Sequence, residues 1–353
     1  MSESTFKPRI VSALLLAGTL CASPAVLAIA TAAHSEAYNV SAGLDVTVGA
    51  DKHRLLVIDK DAVDAKIASA KGEAPAAYHD NGQVLITQGD VIAQGSVTAN
   101  HLVNATTNIN ANLTATILNA EAASDVDGTA GARTVSSTQN ITGLNFNLGT
   151  TTSTAVLSSH DFITLRADVI ETYTKIGYEN GLLTRTGGTT LANAFLSIKL
   201  NLLDSVSLGS LKTAGLLDSA LNLNINLNDA LTARTDVLAT VDLLRWYCGS
   251  NTSLLSAFNA LGLSILLNEI DLTTPQAIAV NALHIKFGDG LKLATAPLGL
   301  TTASYLSGDI IIGHTDAAMT ITAGNLPASI PEPASVLLLT LGAMLMKLHR
   351  QYI

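Results

Sequence analysis

The stretch Leu221–Asn228 reads LNLNINLN, and it is the strongest strand signal in the chain. Apolar and polar residues alternate at every position, so an extended strand here would bury one face and leave the other polar. The asparagine face fits two arrangements. It forms a hydrogen-bonded ladder on a stacked or solenoid sheet, or it is the wet face of a sandwich strand.

Weaker alternation on the N-terminal side of this stretch extends the β prediction. Within residues 38–60, Leu44, Val46 and Val48 alternate with polar residues, and residues 84–120 and 134–148 are again β-like. Asp61–Ala70 is predicted to be a short helix or a loop. Residues 97–146 and 163–198 each show a strand, a connection and a further strand, which suggests a weak internal repeat.

Two segments after the asparagine stretch have helical spacing. They are Asp236–Cys248 and Ser253–Leu267, and Asn251, Thr252 and Ser253 offer N-cap chemistry. The predicted fold is therefore mainly β, a sandwich or a solenoid-like sheet with one or two helical insertions. An N-terminal signal helix and a C-terminal hydrophobic helix would flank it.

Composition favours an extracellular setting. Charged residues make up 13% of the 353 residues, about half of the usual share, and aromatic residues make up 4%. Without residues 1–33 and 331–353, 26 acids and 15 bases remain, a net charge of −11. An acidic body repels phosphate backbones, so we expect no nucleic-acid partner.

The N-terminus has the order of a secretory signal peptide. Lys7 and Arg9 precede an apolar run from Ile10 to about Cys21, and small residues follow up to residue 33. The run is too short to span a bilayer comfortably. Residues 1–33 are therefore predicted to be a signal peptide removed by signal peptidase, and candidate cleavage sites follow the alanines at 28, 30 and 32.

The C-terminus contains Pro331-Glu332-Pro333, an apolar run, and a short basic tail with Lys347 and Arg350. The prolines hold the chain extended, and a basic end favours the cytoplasmic side of a membrane. Residues 330–353 closely resemble the PEP-CTERM sorting signal of Gram-negative bacteria. The resemblance implies processing by an exosortase near the motif, after transient anchoring in the inner membrane by the hydrophobic helix.

The region between the two ends resembles the choice-of-anchor P group of exported β-rich proteins, on the pattern of residues 163–198, 279–285 and 307–314. That resemblance implies no molecular function. The predicted organisation has three middle segments. They are a β-rich domain with the weak repeat (34–200), a Leu/Asn-rich strand with a helical segment (201–271), and a β-rich continuation (272–329).

Motifs of catalysis are missing from the sequence, and no cofactor is expected. It has no Gly-x-Ser-x-Gly elbow, His-Glu-x-x-His motif or Walker loop. Asp125 and Asp127 have the spacing that opens many calcium loops, although a plain turn is the preferred interpretation. His79-Asp80 and His160-Asp161 are neighbours in sequence, so in strands they would point to opposite faces. Cys248 would be alone after export and is interpreted as a small buried side chain.

These observations support three classes of function. The preferred one is an exported structural or interaction protein of the cell surface, outer membrane or extracellular matrix, not an enzyme, associated with exopolysaccharide or biofilm. The second is a carbohydrate-binding surface protein, for which Trp246 and Tyr247 are the adjacent aromatic residues. The third is a secreted hydrolase with an unrecognised site. The ligand, oligomeric state and signal-peptide cleavage site stay open.

Overall fold

Two antiparallel sheets account for most of the chain that the computed structural model describes. The described residues are 28–48, 50–60, 68–85, 91–100, 106–153, 158–201, 220–234, 236–260, 262–293 and 304–323. By internal contacts, Ala30–Thr320 form one compact unit. The mainly β prediction is confirmed.

Sixteen strands and three short helices make up the described fold. The strands are β1 (Ala28–Val48), β2 (Asp51–Ile58), β3 (Ser69–Glu73), β4 (Tyr78–Leu85), β5 (Val91–Asn100), β6 (Thr106–Thr114), β7 (Ile117–Ser124), β8 (Arg133–Ser153), β9 (Ser158–Glu179), β10 (Leu182–Ala192), β11 (Phe195–Asn201), β12 (Ala220–Asn226), β13 (Val241–Asp242), β14 (Leu263–Asp271), β15 (Ala277–Leu293) and β16 (Ser304–Ala323). The helices are α1 (Leu227–Thr232), α2 (Leu243–Cys248) and α3 (Thr252–Ala260).

The first sheet, sheet A, joins the beginning of the described chain to its end. Its strand order is β13-β14-β15-β16-β1-β2, and β3 pairs with the first half of β1. Strand β1 is long enough to pair with β3 near its start and with β2 near its end. As a result, residues 34–38 of β1 lie between β16 and β3.

The second sheet, sheet B, is built around the long β8–β9 ribbon. Its order is β12-β11-β9-β8-β6-β5, while β10 pairs with β9, and β4 pairs with β7, which pairs with β8. One end of β8 pairs with β7 and the other with β6. The ribbon therefore carries a different set of strands at each of its ends.

The two sheets share one hydrophobic core. A row of apolar side chains crosses sheet B from β6 to β12 through successive cross-strand pairs, and each member is at most 2% exposed. The row consists of Leu113, Phe146, Leu165, Leu196 and Ile225. Apolar residues of β1, β14, β15 and β16 belong to the same cluster. Two-residue periodicity places these side chains on the inner faces of the sheets.

The alternation of buried and outer positions reverses at one level of sheet A. There Asn268, Ala282 and Gly313 occupy the same level on β14, β15 and β16. The backbone is left-handed at Asn268 (φ 51°) and at Gly313 (φ 69°). Consequently Leu267 is buried in the core whereas Glu269, two residues later, is partly exposed. We call this level the aligned kink.

A polar layer lies in the interior beside the aligned kink. It consists of Ser35, Asn39, Ser137, Gln139, Thr172, Thr174 and Thr315, all buried. Several of its hydrogen bonds join the sheets. The Ser137 hydroxyl donates to the Asp316 carbonyl (2.6 Å), and the Thr172 hydroxyl donates to the Gly313 carbonyl (3.0 Å). These two hydrogen bonds link the sheets, whereas the side-chain oxygens Asn39 Oδ1, Gln139 Oε1 and Thr315 Oγ1 are buried without a partner.

The asparagine stretch forms the predicted strand, but only as far as Asn226. The Asn226 side chain accepts a hydrogen bond from the Asn228 amide (3.0 Å) and caps α1, so Leu227 and Asn228 are helical. The helix predicted over Ser253–Leu267 is also shorter than expected. It ends at Ala260, and Leu263 begins the buried strand β14.

Both predicted flanking helices concern residues outside the described part of the chain, except that β1 already begins at Ala28. No helix among the described residues combines the length and the apolar character that a bilayer crossing requires. The sorting motif Pro331, Glu332 and Pro333, and the basic residues Lys347 and Arg350, likewise lie outside the described residues.

Candidate functional site

Polar side chains from four adjacent strands line the outer face of sheet A. They are Glu269 of β14, Asn281 and His284 of β15, His314 and Asp316 of β16, and His34 and Glu36 of β1. The aligned kink turns Glu269, Asn281 and His314 to this face. Strand alternation alone would point these three side chains into the core, as it does for the residues two positions away on the other side of the kink. The sheet therefore concentrates histidines and carboxylates that are distant in sequence.

Hydrogen bonds fix the orientation of the imidazole of His314. Asn281 Nδ2 donates to Glu269 Oε2 at 2.7 Å, so the amide oxygen of Asn281 faces His314. That oxygen lies 2.6 Å from His314 Nδ1, which must be the donor because a carbonyl oxygen only accepts. In the neutral ring, His314 Nε2 then carries a lone pair, and it lies 3.8 Å from Asp316 Oδ2.

Glu269 is held ionised by its neighbours. His284 Nδ1 lies 2.6 Å from Glu269 Oε2 and donates to it, Asn281 donates to the same oxygen, and Lys286 Nζ is 3.9 Å from Oε1. The His284 hydrogen bond, followed by that of Asn281, lowers the pKa of Glu269 to about 2 despite partial burial. At neutral pH this carboxylate is a fixed negative charge on the outer face.

Three further groups converge where β1 and β16 pair. His34 Nε2 lies 3.6 Å from Asp316 Oδ1 and 4.0 Å from Glu36 Oε2. One ligand atom from each of the three residues lies within 4.8 Å of the other two. We call His34, Glu36 and Asp316 the histidine–carboxylate cluster. It is the group among the described residues whose donor atoms could hold a metal ion.

The surroundings of the cluster include one cation and one aromatic stack. Lys60 Nζ lies 2.7 Å from Glu36 Oε1, which compensates the charge of a carboxylate that is only 6% exposed. The Tyr38 ring stacks on the His314 ring with centroids 4.5 Å apart. Lys60 also lies over the Tyr38 ring, 5.4 Å from its centroid. The cluster is thus packed on one side by a cation–aromatic layer.

A second polar feature crosses the outer face of sheet B. Successive cross-strand pairs join one amide or hydroxyl side chain from each of six strands. They are Gln94, Asn112, Asn147, Thr164, Ser197 and Asn224, which we call the amide row. The five members other than Gln94 each lie next in sequence to buried positions and point the opposite way. The row contains no charged residue, and its strands lie about 4.7–4.9 Å apart. The side-chain oxygen of Asn112 is buried within the row.

The weak calcium candidates have internal partners. Asp127 Oδ1 accepts from the Thr129 amide (2.9 Å) and hydroxyl (2.7 Å) and pairs with Arg133 Nη2 at 2.7 Å. The hydrogen bonds from Thr129, reinforced by Arg133, lower the pKa of Asp127. Asp125 accepts from the Thr134 amide. The segment is a bend between β7 and β8, and the guanidinium of Arg133 already pairs with the Asp127 carboxylate.

The remaining sequence candidates are separate from one another. His79 contacts Glu121 across the β4–β7 pair at 2.8 Å, while Asp80 accepts from the Lys71 amide at 3.0 Å, so the adjacent pair diverges. Cys248 is buried, as predicted, and burial followed by the charge of Asp242 raises the pKa of its thiol. Trp246 and Tyr247 are each 39% exposed on α2.

Sequence reasoning missed the histidine–carboxylate cluster. His34 and Glu36 are two residues apart in a strand and therefore share a face. His314 and Asp316 have the same spacing. That spacing was the available signal. Nothing in the sequence indicated that β1 and β16 are neighbours.

No model of a known protein family matches this chain, and no curated protein matches it either.

Proposed function

We propose that this chain is an exported, non-catalytic surface or extracellular-matrix protein that is sorted through its C-terminal segment. The observation that carries the proposal is the order of residues 330–353, in which Pro331-Glu332-Pro333 precedes an apolar run and a basic end. Signal peptidase and exosortase would be its processing enzymes. The inner membrane would hold it only until processing.

The character of the body supports an extracellular setting. On the outer face of sheet B, the amide row carries Thr, Ser, Asn and Gln side chains and no charge across six strands. Such groups remain neutral at any external pH and hydrogen-bond to hydrated polymers. The one cysteine among the described residues, Cys248, is buried.

Intact mass of the protein recovered from its native host tests the proposal, with and without the exosortase gene. We expect a form lacking the residues after Pro331-Glu332-Pro333 only when the enzyme is present. Replacing the three motif residues by alanine should give the uncut mass in both strains. Pro327→Ala, a proline just upstream of the motif, is the matched control and should be processed normally. A full-length C-terminus in every case would refute the sorting proposal.

The amide row favours a second candidate function, binding of a neutral extracellular polysaccharide. Its amide and hydroxyl groups pair with sugar hydroxyls without the cost of burying a charge. In a glycan pull-down, the double substitution Asn147→Ala and Ser197→Ala should reduce retention by about tenfold, if each lost hydrogen bond contributes about 0.5–1.5 kcal/mol. Gln83→Ala, an exposed amide on β4 outside the row, is the control.

Trp246 provides the contrasting arm of that pull-down. If the sugar stacks on the exposed aromatic pair of α2, Trp246→Ala removes binding and the row substitutions do not. Retention that is unchanged in all variants would exclude both surfaces as the sugar site.

A further inference from the structure

The atoms of the histidine–carboxylate cluster lie farther apart than hydrogen-bond partners and close to the spacing of ligands on one metal ion. The separations from His34 Nε2 are 3.6 Å to Asp316 Oδ1 and 4.0 Å to Glu36 Oε2. Both are too long for hydrogen bonds. Bonds of about 2.0–2.2 Å to one tetrahedral metal ion would place its ligands about 3.3–3.6 Å apart. Small side-chain movements toward a shared centre would satisfy that spacing.

The carboxylates around His34 favour the binding of a cation. Its Nδ1 faces Glu73 Oε1 at 3.8 Å, across the β1–β3 pair, while its Nε2 faces the carboxylates of Glu36 and Asp316. Three carboxylates therefore surround one imidazole. An imidazole that donates Nδ1–H to Glu73 presents the Nε2 lone pair to the other two. This carboxylate–histidine arrangement orients metal-binding histidines in many sites.

The backbone holds the cluster in place before any ion binds. Glu36 and Asp316 come from two adjacent strands in the middle of sheet A. The Glu36 amide donates to Asp316 Oδ1 at 2.9 Å, which fixes the plane of that carboxylate. Ligands on strands are positioned more firmly than ligands on loops, so little ordering entropy opposes binding.

An opening gives an ion access to two of the three residues. His34 and Asp316 line a cavity of about 120 Å³, together with Asp271, Thr274 and the start of β15. The cavity is large enough for several water molecules. A hydrated ion can therefore reach the cluster, and water can complete its coordination.

We propose that His34 Nε2, Glu36 Oε2 and Asp316 Oδ1 bind one divalent transition-metal ion of the zinc class. An imidazole nitrogen with two carboxylates suits zinc, whereas calcium prefers six to eight oxygen ligands. Three protein ligands leave a position for water. The ion would join β1 and β16, which are the first and last strands of sheet A in chain order. The proposal is independent of the sorting proposal.

Two neighbours tune the affinity in opposite directions. Glu73 Oε1 lies 3.8 Å from His34 Nδ1, and on closing to hydrogen-bond distance it would strengthen the imidazole as a ligand. Lys60, 2.7 Å from Glu36 Oε1, competes with the ion for that carboxylate. Removing the first should weaken binding, and removing the second should strengthen it.

Zinc titration of the purified full-length chain tests this assignment by calorimetry. We expect one ion per chain and a higher melting temperature with zinc. His34→Gln and Asp316→Asn should each weaken zinc binding by about 100-fold or more, and Glu73→Gln by about tenfold. Lys60→Met should tighten it. His79→Ala is the matched control, since His79 also contacts a carboxylate and lies outside the cluster.

Cobalt absorption of the unmodified chain provides a measurement that does not depend on the folding of variants. A visible absorption spectrum typical of cobalt bound by nitrogen and oxygen ligands supports the site, provided that one equivalent of zinc displaces the cobalt and removes the spectrum. The assignment is overturned if zinc binds with less than one equivalent, or if His34→Gln and Asp316→Asn match His79→Ala. Calcium or magnesium binding as tightly as zinc would overturn the metal class.

Discussion

Glu269 shows how one carboxylate can make the fold sensitive to acid. The hydrogen bonds from His284 and Asn281 hold the pKa of Glu269 at about 2, below its ordinary value of 4.5. The folded state thus binds this proton less readily than the unfolded state. The resulting stability is fully present above about pH 4.5 and is lost as the pH falls toward 2.

Glu269→Gln should therefore reduce the loss of stability that the protein shows as the pH falls. At pH 7 we expect it to lower the free energy of unfolding by roughly 2 kcal/mol, allowing for partial exposure. The gap between the original chain and the variant should close as the pH falls from 4.5 to 2. Urea unfolding at several pH values measures this. Glu179→Gln, at the exposed β9–β10 turn, is the control. Parallel curves for Glu269→Gln and the original chain would contradict the argument.

The strands of sheet A depend on the aligned kink to present both an apolar and a polar face. At Gly313 the backbone has φ 69°, and an added Cβ would lie 2.9 Å from Ala282 Cβ and against the buried Gln139 amide. The Gly313 carbonyl also accepts from Thr172 in the polar layer. Local conformation, packing and inter-sheet hydrogen bonding thus all converge on one residue.

Gly313→Ala should destabilise the protein by about 2–4 kcal/mol, from overpacking and from the left-handed backbone. Gly43→Ala on β1 is the matched control. The atom nearest to its added Cβ would be Arg54 Nη1, at 3.7 Å. We therefore expect the free energy of unfolding to change by at most about 1 kcal/mol. Chemical denaturation compares the two. Equal effects would show that the kink does not require glycine.

At the scale of the whole molecule, the two sheets are expected to unfold together. Apolar residues of both belong to one core cluster, and the polar layer joins them by hydrogen bonds. Phe146→Ala, at the centre of sheet B, should cost about 3–5 kcal/mol. The single tryptophan, Trp246, lies on α2, which packs against β14 of sheet A.

Tryptophan fluorescence and far-ultraviolet circular dichroism of Phe146→Ala should therefore give the same lowered midpoint. Leu182→Ala, on an exposed residue of β10, should leave both midpoints near those of the original chain. Separate transitions in Phe146→Ala would indicate that the sheets are independent cooperative units.

The sequence by itself determined the local features. Period-two alternation identified the strand at Leu221–Asn226, because side chains on a pleated strand alternate in direction whatever the partner strand is. Composition indicated β structure, and the lone Cys248 was predicted to be buried. Alternation could not show where α1 begins, since the Asn226 cap depends on a side-chain hydrogen bond and not on hydrophobic period.

Only the tertiary structure decided which residues meet. Glu36 and Asp316 are 280 residues apart, and they approach because the fold places β16 beside β1. Strand order depends on the summed packing of the whole core, which no local pattern encodes. The aligned kink adds to this, because left-handed backbone at Asn268 and Gly313 reverses the faces that alternation assigns. The strand was thus predictable from local periodicity, while the candidate site was a consequence of long-range sheet order.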